Sequence, residues 1–216
     1  MKPTLLAFAL AATFFATSAQ ATPASNLLTN GSFETPAQAA PGNYFFDSGS
    51  TDITGWTVVG GQTQLSYHPT CTNGNQCIDL TGIYGYDKGL RSDAVATVIG
   101  ATYLLTFDLG NVDQVGFGSS TVSVSINNGA ATLLTNVINS DPSGFEWESK
   151  SFSWAADATS AQITILGAAN GSLSNDAGIL LDNVAFTAAP VPEPETYAML
   201  LAGLGLVGFA ARRRIH

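Results

Sequence analysis

The sequence predicts an all-β fold, an antiparallel β-sandwich, and three observations carry that expectation. Short runs of β-branched and aromatic residues recur from Asn26 to Thr187, separated by Gly, Asn, Asp and Pro. Several of these runs alternate. Val122, Val124 and Ile126 oppose Ser123, Ser125 and Asn127, the pattern of a strand with one buried face. No stretch of helical period longer than two turns occurs away from the termini. Many short strands at this spacing fold into two antiparallel sheets packed face to face.

Taken in chain order, Met1-Lys2 is a minimal basic start, Leu5 to Ala16 an apolar stretch and Ala19-Gln20-Ala21 a small-x-small cleavage signature. Residues 1–21 therefore read as a signal peptide. Residues 22–189 read as one sandwich domain, a size that supports a core. Its expected strands are Leu27–Phe33, Asn43–Phe46, Ile53–Val59, Thr63–Tyr67, Gln76–Leu80 and Ala94–Ile99. They continue with Thr102–Leu109, Thr121–Ile126, Thr132–Ile138, Lys150–Trp154, Ala161–Leu166 and Gly178–Thr187. In the run from Phe145 to Trp154, Phe145 and Trp147 fall on one face and Phe152 and Trp154 on the other. A bulge or turn near Glu148–Ser149 is the expected resolution.

Charge narrows the function. Between Thr22 and Pro190 the cations Lys88, Arg91 and Lys150 stand against fourteen carboxylates, a net of minus eleven. Such a surface repels phosphate backbones and anionic lipid, so nucleic acid is not an expected partner. It suits solubility outside the cell, cation binding or contact with neutral sugars. Cys71 and Cys77 enclose Thr-Asn-Gly-Asn-Gln, a turn-forming sequence, and an oxidising compartment favours a disulfide between them. The competing reading is a zinc site built from His68, Cys71 and Cys77, which lacks an evident fourth ligand.

The C-terminal stretch sets the compartment. Residues 190–195, with Pro192, Glu193 and Pro194, read as an extended spacer. Residues 196–216 hold an uncharged run of sixteen residues, Thr196 to Ala211, then Arg212, Arg213 and Arg214. As a helix that run measures about 24 Å against roughly 30 Å of bilayer hydrocarbon, a marginal span whose arginines hold their end on the cytoplasmic side. This order of elements resembles the PEP-CTERM sorting tail of exported proteins in exopolysaccharide-producing Gram-negative bacteria. The resemblance implies recognition and cleavage by an exosortase, a membrane protease. It also implies an inner-membrane-tethered intermediate and a final place at the cell surface or in the extracellular matrix, as in a biofilm.

A second resemblance covers most of Asn26 to Thr187. Asn26-Leu-Leu-Thr-Asn-Gly-Ser-Phe-Glu34, Ile53-Thr-Gly-Trp56, Ile78-Asp-Leu-Thr-Gly82, Tyr103 to Leu109, Trp147 with Phe152 and Trp154, and Leu181-Asp-Asn-Val184 follow one another in a characteristic order. They resemble the landmarks of galactose-binding-like jelly rolls, which include carbohydrate-binding modules and a domain family of unknown function noted in plant cell-wall proteins. The resemblance implies that Glu34 and Asp182 help to hold a structural calcium ion between the first and last strands. Calcium takes six to eight oxygen ligands, so an ion there would tie the two ends together.

Sugar recognition uses aromatic platforms flanked by polar groups. Tyr44, Tyr67, Tyr84 and Tyr86 are the candidates, and Tyr84-Gly-Tyr86 stands out in a loop bounded by Gly82 and Gly89, with Asp87, Lys88 and Arg91 beside it. Trp56, Trp147 and Trp154 read as core. No nucleophile-elbow, zinc-protease or phosphate-loop motif is present, and the many carboxylates single out no catalytic pair. The expected function is a non-enzymatic module associated with extracellular polysaccharide. A secreted polysaccharide hydrolase using acidic loop residues is the first alternative, and a structural adhesin with no small ligand is the second.

Overall fold

The alternating runs do form strands. The computed structural model describes residues 24–81, 87–112, 119–137, 145–168, 178–190 and 194–213, so the expected leader at residues 1–21 lies outside the described residues. In chain order the strands are β1 (Gly42–Phe46), β2 (Trp56–Val59), β3 (Thr63–Tyr67), β4 (Gln76–Asp79), β5 (Gly89–Ser92), β6 (Val95–Ala96) and β7 (Thr102–Val112). They continue as β8 (Ser120–Ile126), β9 (Thr132–Asn136), β10 (Phe145–Ala155), β11 (Ser160–Ala161), β12 (Ile163–Gly167) and β13 (Ile179–Ala188). A C-terminal helix, α1, spans Pro194–Arg213.

Six strands form one sheet in the order β1-β3-β4-β13-β7-β10, and five form the other in the order β2-β5-β12-β8-β9. A small ribbon pairs β6 with β11. The first and last strands of a sheet are thus not sequence neighbours, and β13 inserts between β4 and β7 to close the domain. Every paired strand runs antiparallel to its neighbour. One continuous core joins Leu65, Ile78, Phe107 and Phe186 of the larger sheet to Trp56, Leu90, Val124 and Ile165 of the smaller one. That single cluster is what makes the two sheets a sandwich, because each inner face finds its apolar partner only on the other sheet.

The structure departs from the expected strands in four places, each for a physical reason. Leu27–Phe33 is not a strand, since Asn30 and Phe33 adopt positive φ values of 54° and 57°, outside the extended region. Instead this segment lies along β13, with Leu27 N–H donating to Phe186 O at 2.9 Å and Val184 N–H to Gly31 O at 2.8 Å. The expected strand Ala94–Ile99 shrinks to β6, and Val98 and Ile99 pass into a turn with Gly100 at φ 83°. β5 occupies Gly89–Ser92, which read as loop because only Leu90 among its four residues is apolar.

The fourth departure concerns the aromatic run. β10 pairs with β7 in unbroken register from Phe145↔Val112 to Ala155↔Thr102, so the bulge expected near Glu148–Ser149 is not there. Phe152 and Trp154 pack against the core, while Trp147 sits on the outer face opposite Gly110. The register shift falls in β13 instead, between Asp182 and Ala185, where Asn183 takes φ 51°.

At the C-terminus the helix begins at Pro194, inside the expected spacer, because a proline fits the first turn of a helix where no backbone N–H donor is needed. Among the described residues no helix is long and apolar enough to cross a membrane. α1 spends its ends on Pro194-Glu195 and the arginines, so the marginal span expected over Thr196–Ala211 does not stand as a crossing by itself.

Candidate functional site

The sequence landmarks converge on the loop between β3 and β4. Turn-forming residues bring Cys71 and Cys77 together, and they are joined as a disulfide with Cα atoms 5.6 Å apart. Neither sulfur is then a thiolate able to ligate zinc, which removes the His68–Cys71–Cys77 alternative. His68 uses Nδ1 in a 2.7 Å hydrogen bond with Thr70 Oγ1.

Glu34 and Asp182 grip this loop from its two halves. Glu34 Oε1 accepts from Asn75 N–H at 2.8 Å and Gln76 N–H at 2.7 Å. Gly74, at φ 96°, leaves the space that this carboxylate fills, since a Cβ there would collide with it. Asp182 is fully buried; its Oδ2 accepts from Asn73 N–H at 2.8 Å and Thr72 Oγ1 at 3.1 Å, and its Oδ1 from Asn183 N–H at 2.6 Å. Burial pushes the Asp182 carboxyl up to about 6, against the pull of those donors. Burial also raises Asp79 on β4, whose carboxylate accepts from the N–H and hydroxyl of Thr81.

Other residues fasten the same region, and the sequence alone did not mark them. Gln76 is buried and donates through Nε2 to Phe33 O at 2.6 Å and Pro36 O at 3.0 Å, while its Oε1 accepts from Gln38 N–H at 2.6 Å. Trp147 reaches over the outer face of the larger sheet and donates Nε1–H to Thr70 O at 2.9 Å. Gly110 makes that approach possible, because a Cβ there would stand 3.0 Å from the indole ring and 2.8 Å from Leu180 Cβ. The available signal was Gly110 itself, a glycine inside a strand pattern.

A calcium ion at this place would compete with the donors to Glu34 and Asp182 for the same oxygens. Six to eight oxygens must face a calcium ion, whereas amide and hydroxyl hydrogens face Glu34 Oε1 and both oxygens of Asp182. Among the described residues no group of three His, Cys, Asp or Glu side chains is placed to hold a metal. What the two carboxylates do is satisfy the N–H groups of a disulfide loop and pin it between the opening segment and β13. Melting the protein in excess EDTA is accordingly expected to leave the midpoint unchanged. A fall of several degrees, reversed by added calcium, would put the ion back.

Tyr84 and Tyr86 lie outside the described residues. Asp87 is exposed at φ 61°, and its N–H donates to Gly167 O at 2.8 Å. Arg91 is on β5, between Thr57 of β2 and Thr164 of β12. Its neighbour Leu90 is buried opposite Val58 and Ile165, so Arg91 lies on the outer face of the smaller sheet. The Arg91 Nε is buried with no hydrogen-bond partner among the described residues. Tyr44 packs partly buried against the core and donates its hydroxyl to Ala40 O at 3.0 Å. Of the tail residues, Pro194 opens α1, Arg212 is exposed and Arg213 belongs to the helix, while Pro192, Glu193 and Arg214 lie outside the described residues.

Residues 26–187, the span from the opening segment through β13, match the family described as "Protein of unknown function (DUF642)". The chain belongs to the DUF642 family. This DUF642 domain is followed at residues 190–214 by a match to the PEP-CTERM protein-sorting motif. No curated protein matches the chain. Among solved structures, a cyclase from Fischerella sp. TAU in complex with 4-(1H-indol-3-yl)butan-2-one is 16% identical, with a TM-score of 0.52 over 77% of this chain and 98% of the cyclase chain. A CBM35 from Paenibacillus barcinonensis is 14% identical, with a TM-score of 0.42 over 68% and 99% of the two chains. TmCBM61 in complex with β-1,4-galactotriose is 15% identical, with a TM-score of 0.44 over 76% and 99%. At such identities the cyclase match speaks to the fold alone, and it agrees with the jelly-roll sandwich built by this DUF642 chain.

Proposed function

We propose that this protein is an exported, non-enzymatic module of the cell surface or extracellular matrix that associates with extracellular polysaccharide and is delivered by exosortase processing of its tail. The observation that carries the reading is the sorting motif at residues 190–214, whose helix leaves Met199, Leu201, Leu204 and Phe209 exposed on every side. A helix that is apolar all round has no stable place in water. It needs a bilayer or a protease groove, and removal of the tail leaves an acidic, soluble sandwich. The polysaccharide part is supported by the exopolysaccharide-producing setting that the tail resembles and by a surface with few cations. The polar row Thr57–Arg91–Thr164 across the smaller sheet supplies hydroxyls and a guanidinium to a sugar's oxygens.

The test is retention on immobilised glycans together with a product assay, using the chain as exported by its host. Retention without product release, weakened roughly tenfold by Arg91→Ala, is the expected result, since loss of a charged hydrogen-bond donor costs about 1.5 kcal/mol. Product release abolished by a carboxylate substitution would make it a hydrolase. No retention on any glycan would leave an adhesin without a small ligand. Mass spectrometry of the mature C-terminus checks delivery: an end near Pro194 is expected, and an intact Arg214 would refute processing.

A further inference from the structure

Val98 and Ile99 are 68% and 62% exposed on a turn. Turn centres are ordinarily filled by Gly, Pro, Asn, Asp or Ser, and two successive branched hydrocarbons there gain nothing from folding. Yet the turn is firmly held. Ala101 N–H donates to Val98 O at 3.0 Å, Gly100 N–H to Ala156 O at 2.8 Å, and Ala156 N–H back to Ala101 O at 2.9 Å. Val98 N–H donates to the Tyr103 hydroxyl at 2.9 Å, and Thr97 Oγ1 to Ala158 O at 2.8 Å. The tip is therefore a fixed apolar projection.

Its position in the fold gives it a use. Ala189 N–H donates to Thr102 O at 2.8 Å, so the chain leaves the sandwich three residues along from Ile99. Four residues, 190–193, separate Ala189 from the start of α1 at Pro194, a reach of at most about 18 Å. Whatever apolar medium holds α1 is thereby kept close to the Val98–Ile99 tip. The two loops flanking the tip, residues 93–101 and 156–160, contain Asp93 and Asp157 and no lysine or arginine. They would be repelled by an anionic surface and tolerated by a neutral one.

We propose that the Val98–Ala101 turn is a membrane-contacting tip that rests its two aliphatic side chains in the interface of a zwitterionic bilayer while the uncleaved tail tethers the protein there. The proposal rests on the delivery route described above. Contact would set the sandwich end-on to the membrane, with the β9–β10 end directed away and the tail held in one orientation for the protease.

Ile99→Cys provides the test, because Cys71 and Cys77 are bonded to each other and the new thiol is the one available to an environment-sensitive dye. Val137→Cys, 68% exposed just beyond β9 at the opposite end, is the control. The full-length chain is bound to phosphatidylcholine vesicles carrying brominated acyl chains, and each variant must melt as the parent does. At least about threefold stronger quenching at position 99 than at 137 is expected, since an interfacial apolar surface is buried about 5–10 Å into the headgroup and acyl boundary. Equal quenching on chains that float with the vesicles would overturn the tip alone. Failure to float at all would overturn both the tether and the tip that depends on it.

Discussion

Gly31→Ala is expected to lower the thermal midpoint by roughly 10 °C. A Cβ at position 31 would run into the carbonyl oxygen of Val184 on β13, and backbone cannot yield as a flexible side chain can. The opening segment would have to lift from β13. It would take with it the 2.8 Å bond from Val184 N–H to Gly31 O and the 2.9 Å bond from Leu27 N–H to Phe186 O. Asn26 is drawn in as well, since its Oδ1 accepts from Phe186 N–H and its Nδ2 donates to Val184 O, both at 2.9 Å. Several buried groups left without partners amount to about 4 kcal/mol, and for a domain of this size each kcal/mol moves the midpoint by about 2–4 °C. Gly31→Ser should behave the same way. Calorimetry of the purified chain decides the matter, and a shift under about 3 °C would mean that the opening segment is not structurally coupled to β13.

The sequence was readable where one physical signal dominated. Alternation located β8 within a residue, because it carries one apolar face over several positions, and runs of β-branched and apolar residues located β3 and β13 as closely. Side-chain pattern failed where the backbone decides. Nothing in Asn26–Phe33 advertises that Phe33 is held at positive φ with its ring tilted against Trp56 at 5.4 Å, and with Trp56 Nε1–H donating to Asn30 O at 3.1 Å. Val98 and Ile99 read as the end of a strand because composition cannot show that Gly100 turns the chain under them. The aromatic run Phe145–Trp154 seemed to need a bulge because a strand with two apolar faces was assumed to expose one. The disulfide loop crosses the outer face and supplies the cover that Trp147 requires, a contact between residues 77 apart in sequence. The candidate site was legible by residue identity, and its loop contacts were not. Glu34 and Asp182 were singled out by their motifs, but the N–H groups they accept from belong to a loop whose path the motifs do not encode.

The second large effect concerns that loop. Asp182→Ala is expected to cost about 3 kcal/mol near pH 4, a midpoint roughly 6–12 °C lower, because the N–H of Asn73, the N–H of Asn183 and the hydroxyl of Thr72 lose their acceptor. The pH dependence separates this account from a simple loss of packing. Burial raises the folded carboxyl from its ordinary value of 3.8 to about 6, so between those values the folded state holds a proton that the unfolded state has released. Stability from Asp182 is therefore fully present below about pH 4 and declines as pH rises through about 6, where the buried group must ionise. The gap between the parent and Asp182→Ala should accordingly narrow from pH 4 to pH 7.5 in urea titrations. Asp79, raised in the same direction, is present in both proteins and cancels in the difference. Lost packing alone would leave the gap constant with pH. A gap that widened with pH would mean that the ionised form is the favoured one, held by something more than three hydrogen bonds, and a bound cation would then be the first candidate.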